Sequence, residues 1–327
     1  MVYSITSQQN SEVIMTTVNT VLGTIDSSEL GYTLVHEHVL STSAGLKEVY
    51  PEFIDREGTA ASATTHLKES NSEGVSSIID MAPFDLGRDV LLLKEVSKNS
   101  KVNIITTTGS WLVPPREFVG TNPDLIAPLY VREVVEGIEG TGIKAGVIKL
   151  ATDKEGITDR FESVSRAVAR AQLETGVPIL THTFSPAFVG NEQVQIFKEE
   201  GVALNRVCIG HSNDTTNVDY LKGLLDQGVW LGLDHFPGSD PDWETRTLVI
   251  KQLIDQGYGN RIMLSHDFNM RQHRGNIEER TARWERNPDG YLFIKRHVLP
   301  RLIELGVSEK SATALNEENV KRFFEGS

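Results

Sequence analysis

The sequence has almost no cysteine, since Cys208 is the single one among 327 residues. One thiol excludes an internal disulfide framework and a zinc site built from several cysteines. Basic residues are also outnumbered: 45 Asp and Glu stand against 32 Lys and Arg, for a net charge of −13. An acidic surface repels phosphate backbones, and neither half of the chain carries a Lys/Arg cluster. We therefore expect no nucleic-acid partner.

Long apolar runs and a positively charged leader are absent as well. No stretch approaches the roughly 18 consecutive apolar residues of a membrane span. The first basic residue is Lys47, so residues 1–46 lack the positive n-region of a secretory signal. This pattern predicts a cytoplasmic protein, with an export segment already removed as the alternative. The polar residues 1–17 are expected to form a flexible arm.

Eight short apolar runs alternate with longer segments of helical periodicity, as parallel βαβ units require. The runs cover residues 33–38, 75–80, 102–107, 145–150, 178–183, 207–211, 229–234 and 262–267. The helical patterns cover residues 89–98, 130–139, 158–174, 192–200, 218–227, 242–256, 290–305 and 316–324. No linker rich in Pro, Gly or Ser divides the chain.

This organisation favours one α/β domain, a (β/α)8 barrel over residues 18–327, rather than two domains. A doubly wound open sheet is the alternative architecture. It would normally carry a glycine-rich nucleotide loop, and neither G-x-G-x-x-G nor G-x-x-x-x-G-K-[ST] occurs. The one long connection, residues 268–289, is polar and rich in arginine. A long loop at this point commonly serves function.

Polar residues cluster where the apolar runs end. His36 and His38 lie two apart in the first run, so strand alternation directs both side chains to one face. In a barrel these ends converge on the C-terminal mouth. A single histidine there is more simply a hydrogen-bonded structural residue, but several histidines and a carboxylate form a ligand set for zinc, cobalt, manganese or iron. The further candidates, at later runs, are Lys149, His182, His211, His235 and Asp267.

Lys149 is the most informative of these residues. It ends the apolar run Gly146-Val-Ile-Lys149, where burial of an ammonium is unfavourable. Desolvation lowers the pKa of the amine, and a neutral amine can react with CO2 to form a carbamate. A carbamate is a carboxylate on a long stem and could bridge two cations. The alternative is a snorkelling or ion-paired lysine, which the neighbouring metal-ligand candidates disfavour.

Taken in order, these motifs resemble the phosphotriesterase family of the amidohydrolase superfamily, which includes bacterial organophosphate hydrolases and phosphotriesterase-like lactonases. The H-x-H pair alone is a weak signal, but the later motifs follow it in the family's order. The likeness covers nearly the whole chain. Its main parts are Thr33-Leu-Val-His-Glu-His38, Gly142-Ile-Lys-Ala-Gly-Val-Ile-Lys149, Thr181-His-Thr183, Arg206-Val-Cys-Ile-Gly-His-Ser212 and Ser265-His-Asp267.

The resemblance implies a dinuclear metal centre, with Zn2+ expected first and Co2+, Mn2+ or Fe2+ as alternatives. A metal-bridging hydroxide would attack the ester, and Asp267 would take its proton. His235 would relay that proton outward, with Asp234 orienting its ring. The implied ligands are His36, His38 and Asp267 for the more buried ion, His182 and His211 for the more exposed ion, and Lys149, carboxylated by CO2, between them.

The resemblance also implies a pocket for the leaving group, with an apolar wall that suits a small uncharged ester. His235 and Trp111 match the true phosphotriesterases, where lactonases usually carry arginine and tyrosine. The short segment 236–242 after His235 is closer to the lactonases. Leu112 replaces a second aromatic residue and widens what could bind. The expected pocket residues are Trp111, Leu86, Leu112, Phe268 and Met270.

These features predict a metal-dependent hydrolase of phosphotriesters with aryl leaving groups. The alternative enzyme is a lactonase or carboxylesterase of the acyl-homoserine lactone class with secondary phosphotriesterase activity. A barrel that keeps its metal ligands but only binds or supports other molecules is the third hypothesis. The resemblance further implies a homodimer, with Trp111 and the neighbouring third loop near its interface.

Overall fold

The computed structural model of the chain describes residues 16–270 and 277–327. Eight parallel strands, β3 to β10, pair in chain order, and an antiparallel hairpin of β1 and β2 precedes them. The strands are β1 (Thr17–Thr20), β2 (Gly23–Asp26), β3 (Tyr32–Glu37), β4 (Val75–Asp80), β5 (Asn103–Gly109), β6 (Val147–Ala151), β7 (Ile179–His182), β8 (Val207–Ile209), β9 (Trp230–Leu233) and β10 (Ile262–Leu264).

Helices follow the barrel strands, and a turn of π-helix (Ile294–Val298) precedes α10. The α-helices are α1 (Leu46–Val49), α2 (Arg56–Ser72), α3 (Val90–Ser100), α4 (Pro123–Val135), α5 (Asp159–Thr175), α6 (Gly190–Glu200), α7 (Val218–Leu225), α8 (Trp243–Asp255), α9 (Ile277–Arg286), α10 (Leu299–Glu304), α11 (Glu309–Ala314) and α12 (Glu318–Glu325).

The barrel predicted from the sequence is confirmed, because each of the eight apolar runs overlaps one strand of the parallel sheet. Helix α2 was not predicted. Its buried positions are largely small or polar, Ala60, Ala63 and Ser70 among them, so the apolar periodicity is weak. Helix α4 begins earlier than expected, because Asn122 caps it and Pro123 occupies its first turn.

The barrel interior is filled by one buried side chain from every strand, together with residues of α12. Val147 and Leu180 belong to this cluster and precede Lys149 and His182 by two positions, so those polar side chains face the same interior. Cys208 is buried in the same cluster, as expected for a packing residue. The strand contributions are Val35, Ile79, Ile105, Val147, Leu180, Cys208, Trp230 and Met263.

Hydrogen bonds near both ends of β3 close the barrel at the seam between β3 and β10. At the mouth, His38 N donates to Phe268 O at 2.9 Å, and Asp267 N donates to His36 O at 3.0 Å. Nearer the start of β3, the Asn316 side chain donates to the carbonyls of Thr33 and of Leu264, the last residue of β10, each at 2.8 Å.

Two other sequence expectations concern chain segments. The expected arm, residues 1–17, lies outside the described residues except for its end, and Thr17 already pairs with Asp26 in the hairpin. The long loop 268–289 contains α9, whereas its residues 271–276 lie outside the described part. None of the helices in the described ranges has the length and apolar character to cross a membrane.

Candidate metal centre

The histidines expected on β3 approach the aspartate after β10 at the mouth of the barrel. His38 Nε2 lies 2.9 Å from Asp267 Oδ1, and His36 Nε2 lies 3.9 Å from the same oxygen. Lys149 Nζ is 2.8 Å from His36 Nε2. On the neighbouring side, His182 Nδ1 is 2.7 Å from His211 Nε2. The six side chains thus direct nitrogen or oxygen atoms toward one small region.

The donor atoms of this region form groups of a size that could hold a divalent cation. Within each group, one potential ligand atom per residue lies within 4.8 Å of the others. Imidazole and carboxylate donors suit zinc and related metals. His182 belongs to none of these groups and joins the site through its contact with His211. The groups are His36, His38 and Asp267; His211, His235 and Asp267; and His36, His211 and Asp234.

Asp234 differs from the expectation that it orients His235. Its carboxylate instead contacts Nδ1 of His36 and Nδ1 of His211, each at 2.9 Å. In both rings Nε2 therefore faces the centre of the site, while Nδ1 contacts the Asp234 carboxylate on the outer side. Metal-binding histidines commonly have this arrangement, so the donor set fits a cation. Gly232 leaves room for Asp234, because a Cβ there would lie 2.7 Å from its Oδ2.

Asp214 is the carboxylate that holds the outer side of His235. His235 Nδ1 lies 2.7 Å from Asp214 Oδ2, and His235 Nε2 lies 3.0 Å from Asp267 Oδ2. Burial alone would lower the pKa of His235, but the two carboxylates raise it to about 10. Arg246 Nη1 donates to Asp214 Oδ1 at 2.8 Å, so the contacts run from Asp267 through His235 and Asp214 to Arg246. Asp214 was not predicted from the sequence, because it lies in a 3-10 turn rather than at a strand end.

Lys149 is buried, with 1% of its surface exposed. Burial lowers its pKa to about 8, although the charges of Asp267 and Asp234 act in the opposite direction. The amine therefore loses its proton more readily than that of an exposed lysine. Gly109 pairs with Lys149 in the neighbouring strand, and a Cβ on Gly109 would lie 2.1 Å from the Lys149 carbonyl oxygen. The close approach of β5 to β6 thus requires glycine at this position.

Burial also favours neutral imidazole at the other side chains. Burial and the nearby Lys149 ammonium together lower the pKa of His36 to about 3. It lowers the pKa of His182 and His211 as well, and the neighbouring histidines act in the same direction. Since a metal binds the neutral ring, the protonation state of the site favours coordination. For Asp267, burial would raise the pKa, but hydrogen bonds from His235 and His38 outweigh it and keep the carboxylate ionised.

A cavity of about 380 Å3 opens over these groups. Leu86, Trp111 and Phe268 line it, as expected for a pocket wall, and Trp111 is held through its backbone by the Asp85 carboxylate. Met270 does not line the cavity. It is fully buried in the core because its amide donates to His38 O, which fixes this part of the chain against β3.

Leu112 is likewise not among the lining residues, whereas its neighbour Trp111 is. Several further lining residues were not predicted from the sequence, among them one aromatic residue and two arginines. Phe236 comes from the short seventh loop, and Arg283 and Arg286 come from α9. The Arg-rich composition of residues 268–289 was the only sequence signal for these two arginines.

Comparison with known proteins gives matches over nearly the whole chain. The model named Phosphotriesterase family matches residues 16–324. A phosphotriesterase homology protein of Mycobacterium tuberculosis is 35% identical, covering 95% of this chain and 98% of that protein. An aryldialkylphosphatase of Saccharolobus solfataricus is 35% identical, over 92% of this chain and 96% of that protein. A solved structure of the phosphotriesterase from Mycobacterium tuberculosis superposes with a TM-score of 0.88 at 34% identity, over 94% and 98% of the two chains.

Proposed function

Since this chain belongs to the phosphotriesterase family, we propose that it is a metal-dependent hydrolase of phosphotriesters with aryl leaving groups. The observation that carries the proposal is the arrangement around Asp267. His36 and His38 approach its Oδ1, while His235 contacts its Oδ2. One carboxylate thus joins the proposed metal ligands to a path for a proton.

In this proposal, the site would hold two divalent cations. His36, His38 and Asp267 would bind one, and His182 and His211 would bind the other. Lys149, once carboxylated by CO2, would supply a further carboxylate ligand. The buried position of Lys149 and its lowered pKa support this role, because carbamate formation needs the neutral amine. When bound, the cations would acidify a shared water and polarise the phosphoryl oxygen of the ester.

The side chains of the chain itself would then carry the proton away. Asp267 accepts the proton from the attacking water, and His235 takes it at Nε2, 3.0 Å from Asp267 Oδ2, once its Nδ1 proton has passed to Asp214 and on to solvent. Asp214 holds the opposite nitrogen of His235 and so keeps the ring aligned with Asp267. His235 and Asp214 are both partly exposed, which gives the proton a route to solvent.

The wall formed by Leu86, Trp111 and Phe268 supports an uncharged substrate with an aryl group. Such a group packs against apolar and aromatic side chains, and the cavity volume lies in the range usual for small-molecule sites. Phosphotriesters carry no formal charge, which also suits an acidic protein with a net charge of −13.

The test is a comparison of kcat/KM for a dialkyl aryl phosphate, an acyl-homoserine lactone and an aryl acetate, with metal content measured on the same samples. We expect the aryl phosphate to be turned over best, and about two ions per chain after growth with zinc, cobalt or manganese. His38→Asn should remove activity, whereas His297→Asn, at an exposed histidine paired with Asp289, should not. Well under one ion per chain would favour a non-catalytic barrel.

Lactone or carboxyl-ester hydrolysis is the second candidate, supported by the short seventh loop. Only residues 236–242 connect the end of the seventh barrel segment at His235 to α8, so little chain covers the cavity on that side. An open rim would admit a substrate with a long acyl chain. A kcat/KM for the lactone far above that for the aryl phosphate would make this the principal activity.

We also infer a homodimer from the family resemblance. The third loop, between β5 and α4 and next to Trp111, leaves the apolar side chains of Val113 and Val119 exposed, with 56% and 42% of their surfaces accessible. Sedimentation velocity should give twice the 36.2 kDa chain mass. Val113→Asp should shift the protein toward the monomer, whereas a monomeric wild type would contradict the inference.

A further inference from the structure

The carboxylate of Glu37 is buried next to the proposed metal site but has no part in the proposed reaction. Glu37 lies between His36 and His38 on β3 and has no exposed surface. An ionised carboxylate in such a place needs hydrogen-bond donors to offset its lost hydration. Within residues 16–270 and 277–327, the donors that contact it come from residues 265–268, the segment that follows β10.

The two oxygens of Glu37 bracket Asp267 from both sides. Oε1 accepts from Ser265 Oγ at 2.7 Å, and from both the backbone amide and Nδ1 of His266, at 3.0 Å and 2.7 Å. Oε2 accepts from Phe268 N at 2.9 Å. The residues before and after Asp267 are therefore both hydrogen-bonded to Glu37, a side chain of the neighbouring strand β3.

This restraint acts where the backbone is conformationally unfavourable. Asp267 has a φ of 52°, in the left-handed region that few residues other than glycine adopt. Such a conformation persists only when its surroundings over-determine it. Here the Asp267 amide donates to His36 O, while Glu37 fixes the neighbouring amides.

His266 extends this restraint to the outer layer of the barrel. Its Nδ1 donates to Glu37, and its Nε2 accepts from the Ile294 amide at 3.1 Å, in the turn before α10. Because one ring nitrogen donates and the other accepts, the ring is neutral with its proton on Nδ1.

We propose that Glu37, together with His266, is a positioning residue that sets the orientation of the Asp267 carboxylate toward the proposed metal site. The inference rests on the proposed function, because it assigns Asp267 to that site. Four donors face Glu37, and a carboxylate offers only acceptors, whereas a glutamine would turn an NH2 group toward some of those donors. Substitution by glutamine should therefore release Asp267 from its orientation without changing the side-chain volume.

The main test compares Glu37→Gln with Asn316→Ala. Asn316 supports the same seam through Thr33 and Leu264, so its loss lowers stability without removing any of the hydrogen bonds that Glu37 accepts from residues 265–268. The dissociation constant for Zn2+ is measured by competition with a chelator, without substrate. We expect Glu37→Gln to weaken zinc binding by about 10- to 100-fold, which is the usual effect of substituting a residue that supports a metal ligand. Asn316→Ala should lower Tm and leave the constant unchanged.

A second pair of variants decides the question if Glu37→Gln does not fold. His266→Asn keeps a side-chain donor for Glu37, and His266→Ala removes it. We expect His266→Ala to weaken zinc binding and His266→Asn to restore most of it. The absorption spectrum of the cobalt-loaded protein should change in the same order, since it reports the ligand geometry.

Zinc affinity in Glu37→Gln equal to that of the wild type would overturn the inference. So would equal losses in Glu37→Gln and Asn316→Ala, which would indicate a general loss of stability. If the wild type binds zinc but hydrolyses none of the three esters, the proposed function fails. The positioning role is then decided by the zinc dissociation constants of the variants alone. A wild type that binds no zinc overturns both.

Discussion

His235 and Asp214 are joined by a 2.7 Å contact between ring Nδ1 and carboxylate Oδ2. Asp234, the immediate neighbour of His235 in sequence, instead contacts the far nitrogens of His36 and His211. The two aspartates therefore support different steps of the proposed chemistry. Asp214 would serve proton transfer, and Asp234 would serve the ligand geometry of the metal site.

This division predicts different defects for two equivalent substitutions. Asp214→Asn should lower kcat about 10²-fold, the lower end of what proton transfer contributes, with metal content unchanged. Asp234→Asn should weaken metal binding about 10- to 100-fold, because the rings of His36 and His211 lose their anchor. Steady-state kinetics and metal analysis on both variants distinguish the roles. Loss of metal from Asp214→Asn, with Asp234→Asn retaining it, would reverse the assignment.

Lys149 provides the second prediction, since its proposed role depends on carboxylation. Lys149→Ala should reduce activity to the background rate and lower the metal content. Acetate or propionate should restore part of the activity, because a free carboxylate can take the place of the carbamate. Lys144→Ala, at an exposed lysine just before β6, is the matched control and should behave as the wild type. Full activity in Lys149→Ala without any added acid would refute the bridge.

Strand alternation explains why much of the site could be predicted. Lys149 and His182 lie within strands whose inward positions are fixed by a period of two residues. His211 and Asp267 lie beyond the ends of β8 and β10, and both have left-handed backbones. Their place at the end of an apolar run allowed both residues to be predicted as site residues. The direction in which the chain turns after them could not be predicted.

The partners that were missed lie beyond such turns. Asp214 reaches His235 only because the chain reverses at His211 into a 3-10 turn. Met270 was expected in the pocket, but the bridge between His38 and Asn269 continues the alignment with β3 and directs Met270 into the core. Hydrophobic periodicity carries no information on these local conformations, which depend on hydrogen bonds between residues far apart in sequence.

Asp85 provides a third prediction, which concerns substrate binding rather than metal binding. Its carboxylate accepts from the amides of Trp111, at 2.9 Å, and Val113, at 3.2 Å, and so fixes the third loop. Asp85→Asn retains one acceptor oxygen, so we expect KM for an aryl phosphate to rise about fivefold, the equivalent of about one lost hydrogen bond, with kcat nearly constant.

Trp111→Leu serves as the comparison for this prediction, because it removes the pocket wall itself. Its KM should rise at least as much as that of Asp85→Asn. For an alkyl ester without an aryl group, both variants should resemble the wild type. An unchanged KM for the aryl phosphate in Asp85→Asn would show that the third loop keeps its position without this carboxylate.

The fourth prediction concerns stability at a distance from the site. Glu200, at the end of α6, accepts from Arg170 at 2.8 Å and from Arg166 at 3.0 Å on α5. The hydrogen bond from Arg170 outweighs burial and, with that from Arg166, lowers the pKa of Glu200. A lowered carboxyl pKa stabilises the folded state at pH values above the ordinary value, and this contribution disappears as the pH falls through the lowered pKa.

Glu200→Gln should therefore reduce the free energy of unfolding by about 1 kcal/mol at pH 7, because both arginines lose a charged partner. Below the lowered pKa, the wild-type side chain is protonated and the two proteins should have the same stability. Urea unfolding of both proteins across this pH range measures the difference directly. Glu155→Gln, at an exposed carboxylate paired with the exposed Lys154, is the control and should change stability little at any pH. A difference between Glu200→Gln and the wild type that does not vary with pH would mean that the glutamine disturbs packing between α5 and α6, rather than removing a charge interaction.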